Sequence, residues 1–401
     1  MRILVVSPVL PYPDRSGGAI RIAQLLRALA REHELTLLAS KPARVDPEEA
    51  RAALDPITLI PVSAGWVIGE GPTTAKRLWQ ARSLVSSRSA LYWILAGPLL
   101  DALRRLDWQR FDIVQVEYSL LGLLPFPRSL PLVVDAHNLE YRVLERISQR
   151  SGWLRGLWVR RECQRVRREE ITAWRQAALC LAVSRVDAEE MRRFAARRVA
   201  VIPNGVDVRQ TPFLPLDAAE PDHIVFVGNL RYWPNVDGVL WFVRKVWPAV
   251  RARIPSARFS IVGYDPPSDL GMLSAIEGVR LVGTVPAVTP WLARASVVVV
   301  PLLAGSGTRL KILEAFAAGR PVVTTSLGLE GIDAEPGRHV MVADDAASFA
   351  SAVVDLLASS QRRAALAEAA RRLVEQLYDW DRIGEQLRAV YRAFVGEERI
   401  G

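Results

Sequence analysis

The sequence predicts an α/β protein of two doubly wound domains, and three observations lead there. At 401 residues the chain is long enough for about two or three domains of ~150 residues. Short apolar runs alternate with amphipathic stretches from end to end, which is the pattern of parallel sheets covered by helices. One break, residues 209–222 with Pro212, Pro215 and Pro221, shows no periodic face and separates two such series, as an interdomain linker would. The expected divisions are a first domain 1–207, a linker 208–222, a second domain 223–378, and a terminal helix 379–401 that returns towards the first.

The elements follow in order. Residues 3–7 form a β-branched apolar strand, a loop bearing Pro and Gly runs to Gly18, and Ile22, Leu25, Leu26 and Leu29 then recur at helical spacing. Further strands are expected at 34–40, 57–60, 113–117, 132–135, 179–183 and 199–202. The second series comprises 223–227, 258–262, 279–282, 297–300 and 322–325 and ends near Val340. Helices are expected over 346–377, and in 380–394 Ile383, Leu387, Val390 and Phe394 share one face. Two such domains place a cleft between the carboxyl ends of their sheets, so the chemistry belongs in loops that follow strands.

Composition narrows the class. Half the residues are hydrophobic and 24% are charged, which supports ordinary cores and excludes a disordered or collagen-like chain. A net charge of +9 suggests an anionic partner. Of the 52 basic residues only Lys41, Lys76, Lys245 and Lys311 are lysines, a bias that a G+C-rich genome would equally produce. Cys163 and Cys180, the two cysteines, are too few for a disulfide framework or a thiolate zinc site and fit a reducing compartment. The N-terminus reads as a strand rather than a signal peptide. The uncharged stretches 56–69 and 295–308 fall short of the ~20 apolar residues that span a bilayer. The expected location is the cytoplasm, with the inner membrane face as a surface the protein could touch.

The most informative segment is 297–325. A strand of four valines runs into Gly305-Ser306-Gly307-Thr308 and then a helix expected over 309–318. Such a loop leaves backbone N–H groups free at the positive end of the helix dipole, where phosphate binds. Arg309 and Lys311 in the first turn would cost a few tenths to about 1 kcal/mol unless they meet an anion, and a diphosphate is one. Glu314, a turn further on, can accept two hydroxyls of a ribose or sugar. A solvated helix face with glycines serving only the turn is the competing reading.

The run 305–325, GSGTRLKILEAFAAGRPVVTT, resembles the donor-nucleotide segment of retaining GT-B glycosyltransferases of family 4, in the branch with Gly-Thr-Arg-Leu-Lys before a Leu-Glu-Ala helix. Other matches occur in the right order: Gly17-Gly18, Asp135-Ala136-His137-Asn138, Val183-Ser184, Ile202 to Asp207, and Val227-Gly228-Asn229-Leu230. The resemblance implies two Rossmann-like domains and a nucleotide-diphosphate-sugar donor bound by the second through Gly228, Asn229, Gly305, Ser306, Gly307, Thr308, Arg309, Lys311 and Glu314. Glu314 matches the second glutamate of the family's E-x7-E motif, the ribose ligand, while Ser306 stands where the first, a donor-sugar ligand, would be. Asn229 and Asn235 stand where many members carry Arg and Lys, so Arg309 and Lys311 are the expected diphosphate cations, with Arg231 in reserve.

In the first domain, Gly17 and Gly18 lie where backbone amides could approach donor phosphates or acceptor, or could serve a turn. His137 follows a strand, and the resemblance places a histidine near the transferred sugar; Glu117 is a second carboxylate at a strand end. His33, His223 and His339 receive no role. Asp379-Trp380-Asp381 has Asp-x-Asp spacing but opens a helix, where an N-cap is expected rather than a metal site. No metal or other cofactor is expected. Eight arginines from Arg146 to Arg168 interleave with Trp153, Trp158 and Trp174 between 142 and 175. This segment could lie on anionic lipid or form a solvated helix of i,i+4 pairs with Glu145, Glu162, Glu169 and Glu170. No nucleic-acid recognition module is visible.

The functional expectation is transfer of a sugar from a nucleotide-diphosphate donor to a sugar or lipid-linked acceptor hydroxyl, with retention, in polysaccharide or glycolipid assembly. The rivals are a catalytically idle nucleotide-sugar-binding subunit, motivated by Ser306, and a nucleotide-sugar epimerase. A Rossmann dehydrogenase is disfavoured because no Gly-x-Gly-x-x-Gly follows the first strand.

Overall fold

The computed structural model describes residues 1–13, 16–42, 44–63, 81–83, 86–149, 152–194, 196–264, 266–305 and 308–398. The chain divides into two compact units, Met1–Pro203 with Ile383–Gly401, and Asn204–Arg382.

The first unit is a seven-stranded parallel sheet in the order β3-β2-β1-β4-β5-β6-β7. Its strands are β1 (Arg2–Ser7), β2 (Glu34–Lys41), β3 (Thr58–Ser63), β4 (Ile113–Glu117), β5 (Leu132–Ala136), β6 (Leu179–Ala182) and β7 (Val199–Val201). β4 and β5 are buried along their whole length, as strands with both faces covered must be. The strand expected at 57–60 runs on to Ser63 through Pro61. Its place at the sheet edge explains this, because proline there leaves no ladder bond unmade on the open side. Helix α1 (Gly17–Leu29) buries Ile22, Leu25, Leu26 and Leu29 as their spacing predicts, and Ser16 caps it by accepting from Ala19 N at 3.3 Å. Gly17 and Gly18 are its first helical residues, so neither serves a positive-φ turn.

The basic segment is two helices, α2 (Glu140–Gln149) and α3 (Trp153–Gln176), packed on each other. Trp174 is fully buried and donates its indole N–H to Ser119 Oγ at 3.0 Å, so it is a core residue and not an interfacial one. Three of the four acids expected to dilute the charge turn inward, while Glu145 on α2 stays partly exposed beside Arg142 at 3.2 Å. Glu169 and Glu162 accept from the backbone of Ser89 and Ala90, and Glu170 accepts from Glu140 N and Tyr141 N. The described exposed face of α3 therefore carries Leu157, Trp158, Arg160, Arg161, Arg167, Arg168 and Arg175 without an acid among them.

The terminal helix α4 (Trp380–Glu398) buries Ile383, Leu387, Tyr391 and Phe394; Tyr391 takes the inward place expected of Val390, which is half-buried. From Ile383 onwards it belongs to the first unit, where Arg388 Nε reaches Glu32 at 3.2 Å.

The second unit is a six-stranded parallel sheet ordered β10-β9-β8-β11-β12-β13. Its strands are β8 (His223–Val227), β9 (Arg258–Val262), β10 (Val279–Gly283), β11 (Val297–Val300), β12 (Val322–Thr324) and β13 (Met341–Val342). The proline-rich segment is pinned to this unit. Arg320, fully buried, donates to the Leu214 and Pro215 carbonyls at 3.0 Å each, and Arg371 donates to that of Thr211. The helix expected over 309–318 is α5 (Leu310–Ala317), with Arg309 as its cap at φ −88° and ψ 89°. The stretch 346–377 is two helices, Ala346–Ala358 and Ser360–Leu377, because Ser359 leaves the helical region and caps the second through Arg362 N at 3.2 Å.

Candidate active site

In the second unit the strand order reverses between β8 and β11, and the loops after these strands diverge at their carboxyl ends. Gly228, Asn229 and Arg231 follow β8; Gly305, Thr308, Arg309 and α5 follow β11. Ser306 and Gly307, both expected in the phosphate loop, lie outside the described residues. Gly305 has φ +115°, a conformation glycine adopts without strain. Arg309 is buried at 8% exposure, and its Nη2 would lie 3.1 Å from a Cβ on Gly305.

Lys311 crosses to the β8 loop. Its Nζ donates to Asn235 Oδ1 at 2.6 Å and sits 4.5 Å above the Phe226 ring, and a Cβ on Gly228 would lie only 2.5 Å from it. Asn235 is itself fixed by donating to the Asn229 carbonyl at 2.7 Å, and the Asn229 side chain accepts from Arg231 N at 2.9 Å. Asn235, which sequence reasoning noted only as a missing cation, is thus the residue that seats the cation from α5. Burial, then the Arg309 charge, pull the Lys311 ammonium down to about 7, with Glu314 opposing. Burial raises the Glu314 carboxyl, with Lys311 opposing. Two cations thus lie close together, and the repulsion between them adds to burial in lowering the lysine.

In the first unit, His137 follows β5 and is 5% exposed. Its Nε2 lies 2.7 Å from Glu117 Oε2 and 3.6 Å from Asp135 Oδ2. Tyr118, at φ +75°, stacks on the imidazole with ring centroids 4.3 Å apart. Arg21 grips both Asp135 oxygens, at 2.9 and 2.7 Å, and donates to the Ile202 carbonyl at 2.8 Å. Burial works to raise the Asp135 carboxyl, but Arg21 and then His137 together more than offset it and hold it below its ordinary value; Glu117 is pushed up by burial and by Asp135. Glu117, Asp135 and His137 offer ligand atoms within 4.8 Å of one another, a grouping that metal-ligand spacing in the sequence does not reveal. With Arg21 on both Asp135 oxygens, it reads as an ion-pair network. Sequence reasoning missed Arg21 and Tyr118. The signal for Arg21 was available, since it falls on the apolar stripe of α1, one turn before Leu25.

Residues 15–210 match the Glycosyltransferase Family 4 profile and residues 221–359 that of Glycosyl transferases group 1. The chain belongs to glycosyltransferase family 4. This glycosyltransferase is 26% identical to a glycogen synthase of Mycobacterium tuberculosis over 100% of its own length and 96% of that protein. It is 32% identical to a phosphatidyl-myo-inositol mannosyltransferase of Mycolicibacterium smegmatis over 49% of its length, a match spanning 52% of that relative. A sucrose-phosphate synthase from Thermosynechococcus elongatus superposes with TM-score 0.73 at 19% identity, covering 99% of this chain and 100% of that one. HepE of Anabaena, in complex with UDP and glucose, superposes at 0.68 with 15% identity, covering 98% and 99%. The two parallel sheets are those of the GT-B fold. The enzyme is a nucleotide-sugar-dependent glycosyltransferase of a retaining family. No helix among the described residues is long and apolar enough to cross a membrane.

Proposed function

We propose that the enzyme passes a sugar from a nucleotide-diphosphate donor to a sugar or lipid-linked acceptor hydroxyl with retention, in polysaccharide or glycolipid assembly. Residues 223–378 act as the donor domain and 1–207 as the acceptor domain. The diphosphate is held by Gly305, Ser306, Gly307, Thr308, Arg309 and Lys311, with Gly228, Asn229 and Arg231 beside it, and Glu314 accepts the ribose hydroxyls. Gly17 and Gly18 approach the donor phosphates or the acceptor, and His137 lies near the transferred sugar. As the glycosidic C–O bond to the diphosphate breaks, charge builds on the leaving oxygen, and Arg309 and Lys311 stabilise it. That oxygen takes the acceptor's proton on the same face as the new bond forms.

The observation that carries this reading is Lys311, held against Gly228 and Asn235 beside Arg309 with its charge partly suppressed. The mannosyltransferase relative, named for phosphatidyl-myo-inositol, supports a lipid-linked acceptor. The acid-free arginine face of α3 supports a peripheral contact with anionic membrane. Thermal-shift screening of nucleotides and nucleotide sugars, followed by transfer assays on lipid-linked and free acceptors, tests it. Glu314→Ala should weaken donor binding or turnover by about 2 kcal/mol, some thirtyfold, the worth of hydrogen bonds to a carboxylate. Unchanged activity sinks the assignment. Donor binding without turnover over the whole acceptor panel would favour the idle-subunit reading that Ser306 motivates.

A further inference from the structure

The first unit carries a buried chain of hydrogen bonds that joins the terminal helix to His137. Tyr391 on α4 donates its hydroxyl proton to Gln115 Oε1, which orients the amide. Gln115 Nε2 then donates to Glu117 Oε1 at 2.7 Å, and Glu117 Oε2 meets His137 Nε2 at 2.7 Å. Tyr391, Gln115 and Glu117 are all 0% exposed. The first two links have one polarity. A tyrosine hydroxyl held by the amide oxygen forces the amide NH2 onto the carboxylate. A Glu117 carboxylate so engaged, with Asp135 Oδ2 3.6 Å from the same ring nitrogen, accepts from the imidazole and favours a proton on Nε2. Nδ1 is then the ring atom turned to Gly18, where an added Cβ would lie 3.5 Å from it and 2.7 Å from Tyr118 Oη. The absence of a side chain is what lets Tyr118 and His137 pack this close to the start of α1.

We propose that Tyr391 and Gln115 are positioning residues for sugar transfer, and that docking of α4 sets the tautomer and orientation of His137 through Glu117. The proposal rests on the placement of His137 beside the transferred sugar. Its consequence is that the last helix of the chain completes a site nearly 250 residues earlier in the sequence.

Selective 15N-histidine labelling of the full-length enzyme gives four imidazoles, so His137 can be followed directly. Tyr391→Phe keeps the ring and removes the hydroxyl; Gln115→Met keeps the volume and removes both bonds. Each should move the His137 ring-nitrogen shifts and lower kcat roughly three- to tenfold, the worth of a buried hydrogen bond, with donor KM within about twofold. The double variant should lose no more than Gln115→Met alone. Phe394→Leu, which loosens the same helix without touching the chain of bonds, should leave both readouts at the parent values. His137 shifts that do not move in Tyr391→Phe overturn the proposal, as does a kcat loss reproduced by Phe394→Leu. If His137→Ala transfers sugar at the parent rate, the placement of His137 fails instead, and the shift measurement decides the hydrogen-bond chain by itself.

Discussion

If Lys311 meets the donor diphosphate as proposed, donor binding is a proton-uptake reaction. In the free enzyme its ammonium is drawn down to about 7 by burial and by Arg309, so at pH 8 about 90% of the side chain is neutral. A diphosphate seated between Arg309 and Lys311 reverses the balance. If the bound value returns to the ordinary 10.5, the lysine is fully charged at pH 8 and binding takes up about 0.9 proton. The same uptake at pH 6 is about 0.1, since Lys311 is already charged there. Because the complex holds more protons than the free enzyme, affinity falls as pH rises, about tenfold per unit between pH 8 and 9. Titration calorimetry of the nucleoside diphosphate found by thermal shift, run at pH 8 in HEPES and in Tris, measures the uptake from the difference in apparent enthalpy. The β-phosphate is fully ionised at that pH and contributes nothing to it. An uptake below about 0.2 proton, or one that persists in Lys311→Met, refutes the reasoning.

Three further outcomes follow from the geometry. Gly228→Ala puts a Cβ 2.5 Å from Lys311 Nζ, a flexible end that can move, so urea titration should show a stability change within about 1 kcal/mol while donor affinity falls about tenfold; unchanged affinity separates Lys311 from the donor. Arg21→Met leaves the Asp135 carboxylate buried and unpaired and should cost about 3–5 kcal/mol by urea unfolding, whereas an unshifted midpoint shows that Arg21 is not what holds Asp135. Replacing Arg160, Arg161 and Arg168 by Gln should abolish co-sedimentation with phosphatidylglycerol vesicles at low salt. Wild-type protein that stays in the supernatant at every salt concentration refutes a membrane role for α3.

Much of the candidate donor site was legible because it is contiguous. The valine strand, Gly305, Arg309, Lys311 and Glu314 lie within eighteen residues, and strand-loop-helix periodicity alone places their backbone. What Lys311 touches was not legible. Its platform, Phe226 with Gly228, comes from the end of β8 and its acceptor Asn235 from the helix Trp233–Trp241 that follows, and only the pairing of β8 beside β11 brings them within reach. The basic segment reads as either a lipid-facing surface or a solvated helix, and its exposed charge changes for a related reason. Counting Glu162, Glu169 and Glu170 against the arginines assumed that all face water, but these acids cap neighbouring backbone N–H groups in the interior.

The sequence by itself determined the order of elements, the two α/β series and the strand-to-helix transition that leads into α5, because hydrophobic period and Gly-rich turns act over a few residues. Tertiary structure alone decided that Arg21 neutralises Asp135, that Glu117 holds His137, and that Tyr391 reaches Gln115 across 276 positions. Buried polar groups must find partners wherever the fold brings one within about 3 Å, and separation along the chain carries no information about which partner that is.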